Sequence, residues 1–228
     1  QEALVEKRAP RLQHLVMIGE PTDGFVDDAV FLESGESVSV DQVDQYRVGV
    51  SVRQPAIMMY TSGTTANPKG CPLNHEVLVR NGINMNRSRY FLESNDRFWA
   101  PLPMFHMAAI LPLMCCMDAG AAMLSMTHFE AGLSLKMMED EKVTVAFPSF
   151  PTIMQDLISH PNFKKTDLSR LRRLNNVAPP NLLRRFQEAI PQAVQTGAYG
   201  LTEAGGVIAF HHPDDSLEQR LHTCGKPM

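Results

Sequence analysis

The sequence predicts an α/β fold: a layered sandwich of largely parallel sheet with flanking helices. Two observations carry that expectation. From residue 121 onward, short apolar or β-branched runs alternate with stretches whose apolar positions recur at helical spacing. In addition, three polar segments each follow an apolar run, which is where ligands gather in open α/β sheets. A chain of 228 residues with 44% hydrophobic content is long enough for one substantial core, with room for two sub-lobes.

Residues 1–54 read as the remnant of a preceding sub-lobe and its connection. Within them Leu12–Ile18 is a strand, and the more polar remainder carries turns at Asp23-Gly24 and Ser34-Gly35. Residues 55–228 form the main α/β subdomain. It opens with Ala56–Tyr60, an apolar run that reads as a buried strand. Asn74 caps a helix from His75 to about Arg89, and Phe98–Leu102 is the next strand. The stretch Met107–Met126 bears a single charge, Asp118, over the length of a membrane span. Pro112 and Gly120 interrupt it, so it reads as a buried helix followed by a core strand at Ala121–Met126.

A helix at Glu130–Glu141 and a strand at Val143–Phe147 complete a βαβ unit, implying a parallel pair. Thr152 offers an N-cap for a helix with Ile153, Met154, Leu157 and Ile158 on one face, ending near His160-Pro161. Leu171–Val177 is a strand. Pro180 opens a helix whose Leu182, Leu183, Phe186, Ala189 and Ile190 form one stripe. Strands at Ala193–Thr196 and Gly206–Phe210 close the series, with no internal repeat and no low-complexity linker.

The formal charge of −4 and the lack of a Lys/Arg tract give no electrostatic case for nucleic acid. Arg170, Arg172, Arg173, Arg184 and Arg185 read as a solvated face rather than a binding patch. Cys71, Cys115, Cys116 and Cys224 show no C-x-x-C spacing, and the adjacent pair sits in an apolar run, which points to a reduced, cytoplasmic protein. Gln1–Pro10 has no apolar signal-peptide region, and no G-x-S-x-G elbow marks a hydrolase. His211, His212, His222 and Cys224 match no zinc spacing.

Residues 61–70, Thr-Ser-Gly-Thr-Thr-Ala-Asn-Pro-Lys-Gly, gather hydroxyls, glycines and one ammonium in ten positions. Such a loop can aim N–H groups, hydroxyls and a cation at one polyphosphate. It is not a Walker A loop, because Gly70 rather than Ser or Thr follows Lys69. By composition alone, a solvated hairpin tip stands level with a phosphate cradle. Two further strings are Pro101-Leu-Pro-Met-Phe-His106 and Tyr199-Gly-Leu-Thr-Glu-Ala204.

In this order and at these separations, the three motifs resemble the adenylate-forming (AMP-binding) superfamily, acyl-CoA synthetase branch. The resemblance runs from about Pro55 to Gly225-Lys226-Pro227 and places the chain in the central part of that family's large N-terminal domain. A mobile C-terminal domain would follow beyond Met228, so a complete catalytic cycle is not expected of this stretch alone. The resemblance implies ATP-dependent activation of a carboxylic acid to an acyl-adenylate, then thioester formation with CoA. ATP, Mg²⁺ and CoA are the implied cofactors and co-substrates, and the acid carries an apolar acyl chain. No transmembrane segment is implied.

By the same resemblance, Thr61, Ser62, Gly63, Thr64, Thr65 and Lys69 hold the β- and γ-phosphates. Tyr199, flanked by Ala198 and Gly200, stacks on adenine, and Asn176, Val177 and Ala178 supply the adenine floor. Thr202 bonds the α-phosphate, Glu203 ligates Mg²⁺, and His106 borders the acyl carboxylate and thiol tunnel; these three are the implied catalytic set. Phe147-Pro148-Ser149-Phe150 and some of the 14 methionines suit an acyl pocket. Read without the family, Thr202-Glu203 is a capping pair and His106 a core histidine.

Two departures stand out. Ala66 occupies a position usually glycine, where a positive φ would cost alanine on the order of 1–2 kcal/mol. Asn175-Asn176-Val177-Ala178-Pro179 stands where the family usually shows a Gly-Gly-Ala-Pro-like string. They leave room for a non-catalytic nucleotide- or acyl-binding domain; within enzymes, the alternative is an adenylation module that delivers the acyl group to a carrier protein or to reduction.

Overall fold

The structure is a computed structural model that describes residues 10, 12, 14–61 and 67–228. It divides into two compact units, residues 1–51 and 52–228. In the first, β1 (Val16–Met17) pairs in parallel with β2 (Val26–Asp27). The strand expected over Leu12–Ile18 is thus two residues long; Arg11 and Gln13 lie outside the described residues. Asp27 caps α1 (Asp28–Ser34), and a reciprocal Ser39–Gln42 capping box starts α2 (Val40–Val48). None of the described residues in this unit is buried.

The second unit opens with β3 (Pro55–Thr61) and β4 (Lys69–Asn74), an antiparallel pair whose register joins Thr61 to Lys69. β3 is not the fully buried strand that its apolar run implies. Pairing on one side only, its pleat buries Met59 and leaves Met58 and Tyr60 57% and 69% exposed. Asn74 ends β4 and caps α3 (His75–Met85), accepting the Val77 N–H at 2.8 Å. Helical winding then loosens into a π turn over Asn86–Tyr90. Asn86 explains the change: its carboxamide donates to Asp118 at 2.9 Å and accepts the Leu92 N–H at 2.8 Å.

The central sheet contains β5 (Arg97–Trp99), β6 (Ala122–Leu124), β7 (Val145–Ser149), β8 (Arg173–Asn176) and β9 (Val194–Thr196). They run in parallel in the order β6-β5-β7-β8-β9. β6 and β7, expected as partners, instead flank β5, because the crossing helix carries the chain over it. The intervening helices are α4 (Met107–Ala119), α5 (Ala131–Asp140), α6 (Pro151–Ser159) and α7 (Pro180–Ala189).

Pro112 is carried inside α4 without breaking it, and Gly120 at φ +68° stops the helix. The cap of α6 is the Phe150 backbone rather than Thr152. Pro151 takes the first helical position, where its missing N–H has no helical partner to lose.

Strand alternation sorts the core into two layers. Phe98, Ala100, Val145 and Phe147 pack with Leu78, Met85, Leu111 and Phe210. Trp99, Ala146 and Leu174 pack with Leu135, Met154, Leu157 and Phe186. α3 and α4 therefore lie on one face and α5–α7 on the other. Beyond β9, β10 (Ala198–Leu201), β11 (Gly206–Phe210) and β12 (Lys226–Pro227) make an antiparallel sheet, and α8 (Leu217–His222) precedes β12. Among the described residues, no helix is long and apolar enough to cross a membrane.

Candidate functional site

Parallel strands deliver their carboxyl ends to one edge, and that edge holds a cavity of about 360 Å³. His106, Met107, Ala108 and Leu111 form one wall, after β5 and along the start of α4. Phe147, Ser149 and Phe150 come from the end of β7, and Val177 from the end of β8. Residues Ala198 to Thr202, with Gly206 and Val207, close the other side. The cavity thus gathers His106, Val177, Ala198, Tyr199, Gly200 and Thr202 of the expected set. Phe147, Ser149 and Phe150 also line it.

The remaining expected residues fall elsewhere. Ser62, Gly63, Thr64 and Thr65, with the departure at Ala66, lie outside the described residues. Thr61 and Lys69 pair across the β3–β4 ladder at its open end. Lys69 and Glu203 are exposed, and among the described residues neither enters a protein ion pair. β4 packs against the short 3₁₀ turn Thr202–Ala204, which brings the strand starting at Lys69 beside the Glu203 turn.

Asn176 is fully buried and does not line the cavity. Its carboxamide donates to Gln195 Oε1 at 2.8 Å, and that of Asn175 donates to the Thr196 carbonyl at 3.3 Å. The Oδ1 atoms of both are buried without a hydrogen-bond partner. Ala178 is half-buried just beyond.

Tyr199 is 55% exposed, leaving a ring face free for stacking. Gly200 is dictated by its neighbours: a Cβ there would lie 1.8 Å from the Gly206 carbonyl oxygen. The strand register shifts between Tyr199 and Gly200, so the two backbones nearly touch at this bulge. Thr202 and Glu203 do not cap a helix, since the turn they open has no side-chain capping bond. The hydroxyl and carboxylate are therefore not spent on the turn's own backbone.

His106 caps α4, with Nδ1 accepting the Ala108 N–H at 3.0 Å. Its ring sits edge-on to Phe150, centroids 6.0 Å apart. Desolvation holds the imidazole below its ordinary pKa. At neutral pH the ring is uncharged and its N–H lies on Nε2. Ser149 takes φ +61°, rare for a non-glycine residue, and the Phe150 N–H folds back on the Pro148 carbonyl at 2.6 Å. That sharp turn aims Phe150 at the cavity.

A magnesium ion fits this donor set in one respect. Mg²⁺ on a nucleotide usually takes one or two carboxylates plus phosphate oxygens and water, and Glu203 supplies one exposed carboxylate. Among the described residues no cluster of three acidic, His or Cys side chains forms an all-protein metal cage.

Several lining residues carry no signal in the sequence. Ala108 and Leu111 share a helix face with Met107 at i, i+1, i+4 spacing, but only the fold decides which helix face meets the ligand edge.

The family model described as AMP-binding enzyme matches residues 3–228. A putative acyl-CoA synthetase of Bacillus subtilis, YngI, is 32% identical over 99% of this chain and 42% of its own length. The human mitochondrial medium-chain acyl-CoA ligase ACSF2 is 28% identical over 99% of this chain and 38% of its own. The 4-coumarate–CoA ligase of Pinus taeda is 31% identical over 92% and 40%. The chain spans about 40% of the length of these relatives.

Among solved structures, the luciferase-like enzyme of the mealworm Zophobas morio superposes with a TM-score of 0.77 at 19% identity, over 96% of this chain and 51% of that one. The inhibitor-bound N-terminal domain of FACL13 from Mycobacterium tuberculosis gives 0.69 at 25% identity, over 89% and 50%.

Proposed function

Because the chain belongs to the AMP-binding enzyme family, we propose that the protein activates a carboxylic acid with ATP and passes the acyl group to CoA. The observation that carries this reading is convergence. Tyr199, Gly200 and Thr202 share one cavity with His106 and an apolar wall, and the strand beginning at Lys69 packs on the Glu203 turn. The names of the relatives, acyl-CoA and coumarate–CoA ligases, favour CoA over a carrier protein as acceptor.

Activation requires two anions to meet, a carboxylate oxygen attacking the α-phosphate while pyrophosphate leaves. The chain's task is to supply positive charge and fixed donors where charge builds up. Lys69 provides a point charge for the β- and γ-phosphates, and Thr61, Ser62, Gly63, Thr64 and Thr65 would add hydroxyl and N–H donors. Tyr199 holds adenine by stacking, and Thr202 donates to the α-phosphate. Glu203 would hold Mg²⁺, which neutralises phosphate charge when bound.

Neutral His106 offers its Nε2–H to the carboxylate or its adenylate as a hydrogen-bond donor rather than a cation. Phe147, Phe150, Met107 and Leu111 shape an apolar place for the acyl chain and exclude water from the reacting atoms.

The test is pyrophosphate exchange by the full-length protein with a panel of carboxylic acids. Exchange with at least one apolar acid is expected, and Glu203→Gln should lower it about 10²–10³-fold while leaving the unfolding transition in place. Exchange that survives in Glu203→Gln, or that no acid supports, would reject the reading.

A further inference from the structure

We propose that Asn81 is a positioning residue of the nucleotide site, fixing the Thr202–Glu203 turn against the segment that starts at Lys69. The inference rests on the nucleotide reading above and adds a residue that touches neither ligand nor cavity.

The geometry is a short, stiff path. β4 passes into α3 with no loop, because Asn74 both ends the strand and caps the helix. Two turns along, Val77 and Asn81 share one face at i, i+4 spacing. Asn81 Nδ2 donates to the Gly205 carbonyl at 2.8 Å. Gly205 closes the turn itself: its N–H donates to the Thr202 carbonyl at 2.9 Å. Its φ of +78° and the Val77 methyl, 2.6 Å from where a Cβ would stand, make it a position that glycine alone fits.

Among the described residues, the Asn81 bond is the one side-chain hydrogen bond that reaches residues 201–206 from elsewhere in the chain. The base of the path is firm as well. Gly82, next to Asn81, packs so closely on Met114 that a Cβ would lie 2.2 Å from the Met114 Cβ, which locks α3 to α4. α4 in turn presents Leu111 to Gly206, where a Cβ would lie 2.5 Å from Leu111 Cδ1. One continuous strand–helix unit thus carries Lys69 at one end and, through Asn81, sets the angle of Thr202 and Glu203 at the other.

Titration calorimetry of the full-length protein with ATP, with and without Mg²⁺, tests the idea well below the unfolding midpoint. Asn81→Asp keeps the size but sets an acceptor against the Gly205 carbonyl, Asn81→Ala removes the donor, and Arg80→Ala is the neighbouring control. The Kd for Mg-ATP should rise about 5–20-fold in Asn81→Asp and by less in Asn81→Ala, and stay level in Arg80→Ala. The loss should be larger with Mg²⁺ than without, since the Glu203 carboxylate rides on the turn.

A contact that merely stabilised the fold would lower the melting temperature and leave both Kd values alone. That result in folded Asn81→Asp, or in Asn81→Ala should Asn81→Asp not fold, overturns the inference while the nucleotide reading stands. A wild-type full-length protein that does not bind Mg-ATP overturns the nucleotide reading and this inference with it.

Discussion

Gly200 shows how one missing side chain fixes a site. The β10 and β11 backbones approach there until a Cβ would overlap a carbonyl oxygen, at 1.8 Å from Gly206 O. Backbone cannot swing away as a flexible side chain can. Gly200→Ala should therefore destabilise the protein by about 3 kcal/mol or more and displace Tyr199 and Thr202 together. Thermal unfolding and ATP titration of the same variant check both outcomes; a normal melting point would refute the close approach. The residues flanking it were legible as a motif, but why glycine stands between them was not, because the oxygen it must avoid belongs to a different strand.

At the scale of elements, the joint between the parallel sheet and the antiparallel ribbon is held by His211. Its backbone N–H donates to the Gly197 carbonyl at 3.1 Å, and its Nδ1 accepts the Gly197 N–H at 2.9 Å. Nε2 then donates to Thr223 Oγ1 at 3.0 Å, and Thr223 Oγ1 donates to the Gln219 carbonyl. One neutral imidazole thus ties β9, β10, β11 and α8 together. Burial holds its pKa below the ordinary 6.5, against the pull of Asp215.

The sign follows from that depression. As pH falls below about 6.5, the unfolded chain takes up the proton before the folded one does, so stability is intact above that value and drains away on acidification. His211→Asn, which keeps an acceptor and does not titrate, should flatten this part of the pH dependence. Melting temperatures of both proteins between neutral pH and pH 5 would show it, and parallel curves would count against it. In the sequence His211 sits in a His-His pair that looks like a metal motif without metal spacing; its partners, Gly197 and Thr223, become neighbours only after folding.

Considered as a whole molecule, the chain concentrates its core in residues 52–228. Every buried residue among those described lies there, and the first unit has none. The apolar side chains of α2, such as Val40, Tyr46 and Val48, are 75%, 82% and 89% exposed. Burial is what offsets chain entropy, so the cooperative transition belongs to the second unit. A chain beginning at Val52 should melt within a few degrees of the 228-residue one. A large fall in its melting temperature would mean that residues 1–51 contribute stability that their exposure does not reveal.

Much of this layout was readable beforehand, since strand and helix periodicities are local properties: the alternation after residue 121, the helix opened by Pro180 and the strand at Gly206–Phe210 all follow from side chains a few positions apart. The three motif strings resembled the AMP-binding family, and the family model matches the chain, although the composition of residues 61–70 by itself left a hairpin tip level with a phosphate cradle. What no string of letters determined was who stands next to whom. That β5 separates β6 from β7, that β3 leaves Tyr60 exposed, that Asn175 and Asn176 are buried with unpartnered oxygens, and that Asn81 grips Gly205 from 124 positions away are decided by tertiary packing. Such contacts depend on three-dimensional closure of the chain, which composition and spacing do not encode one residue at a time.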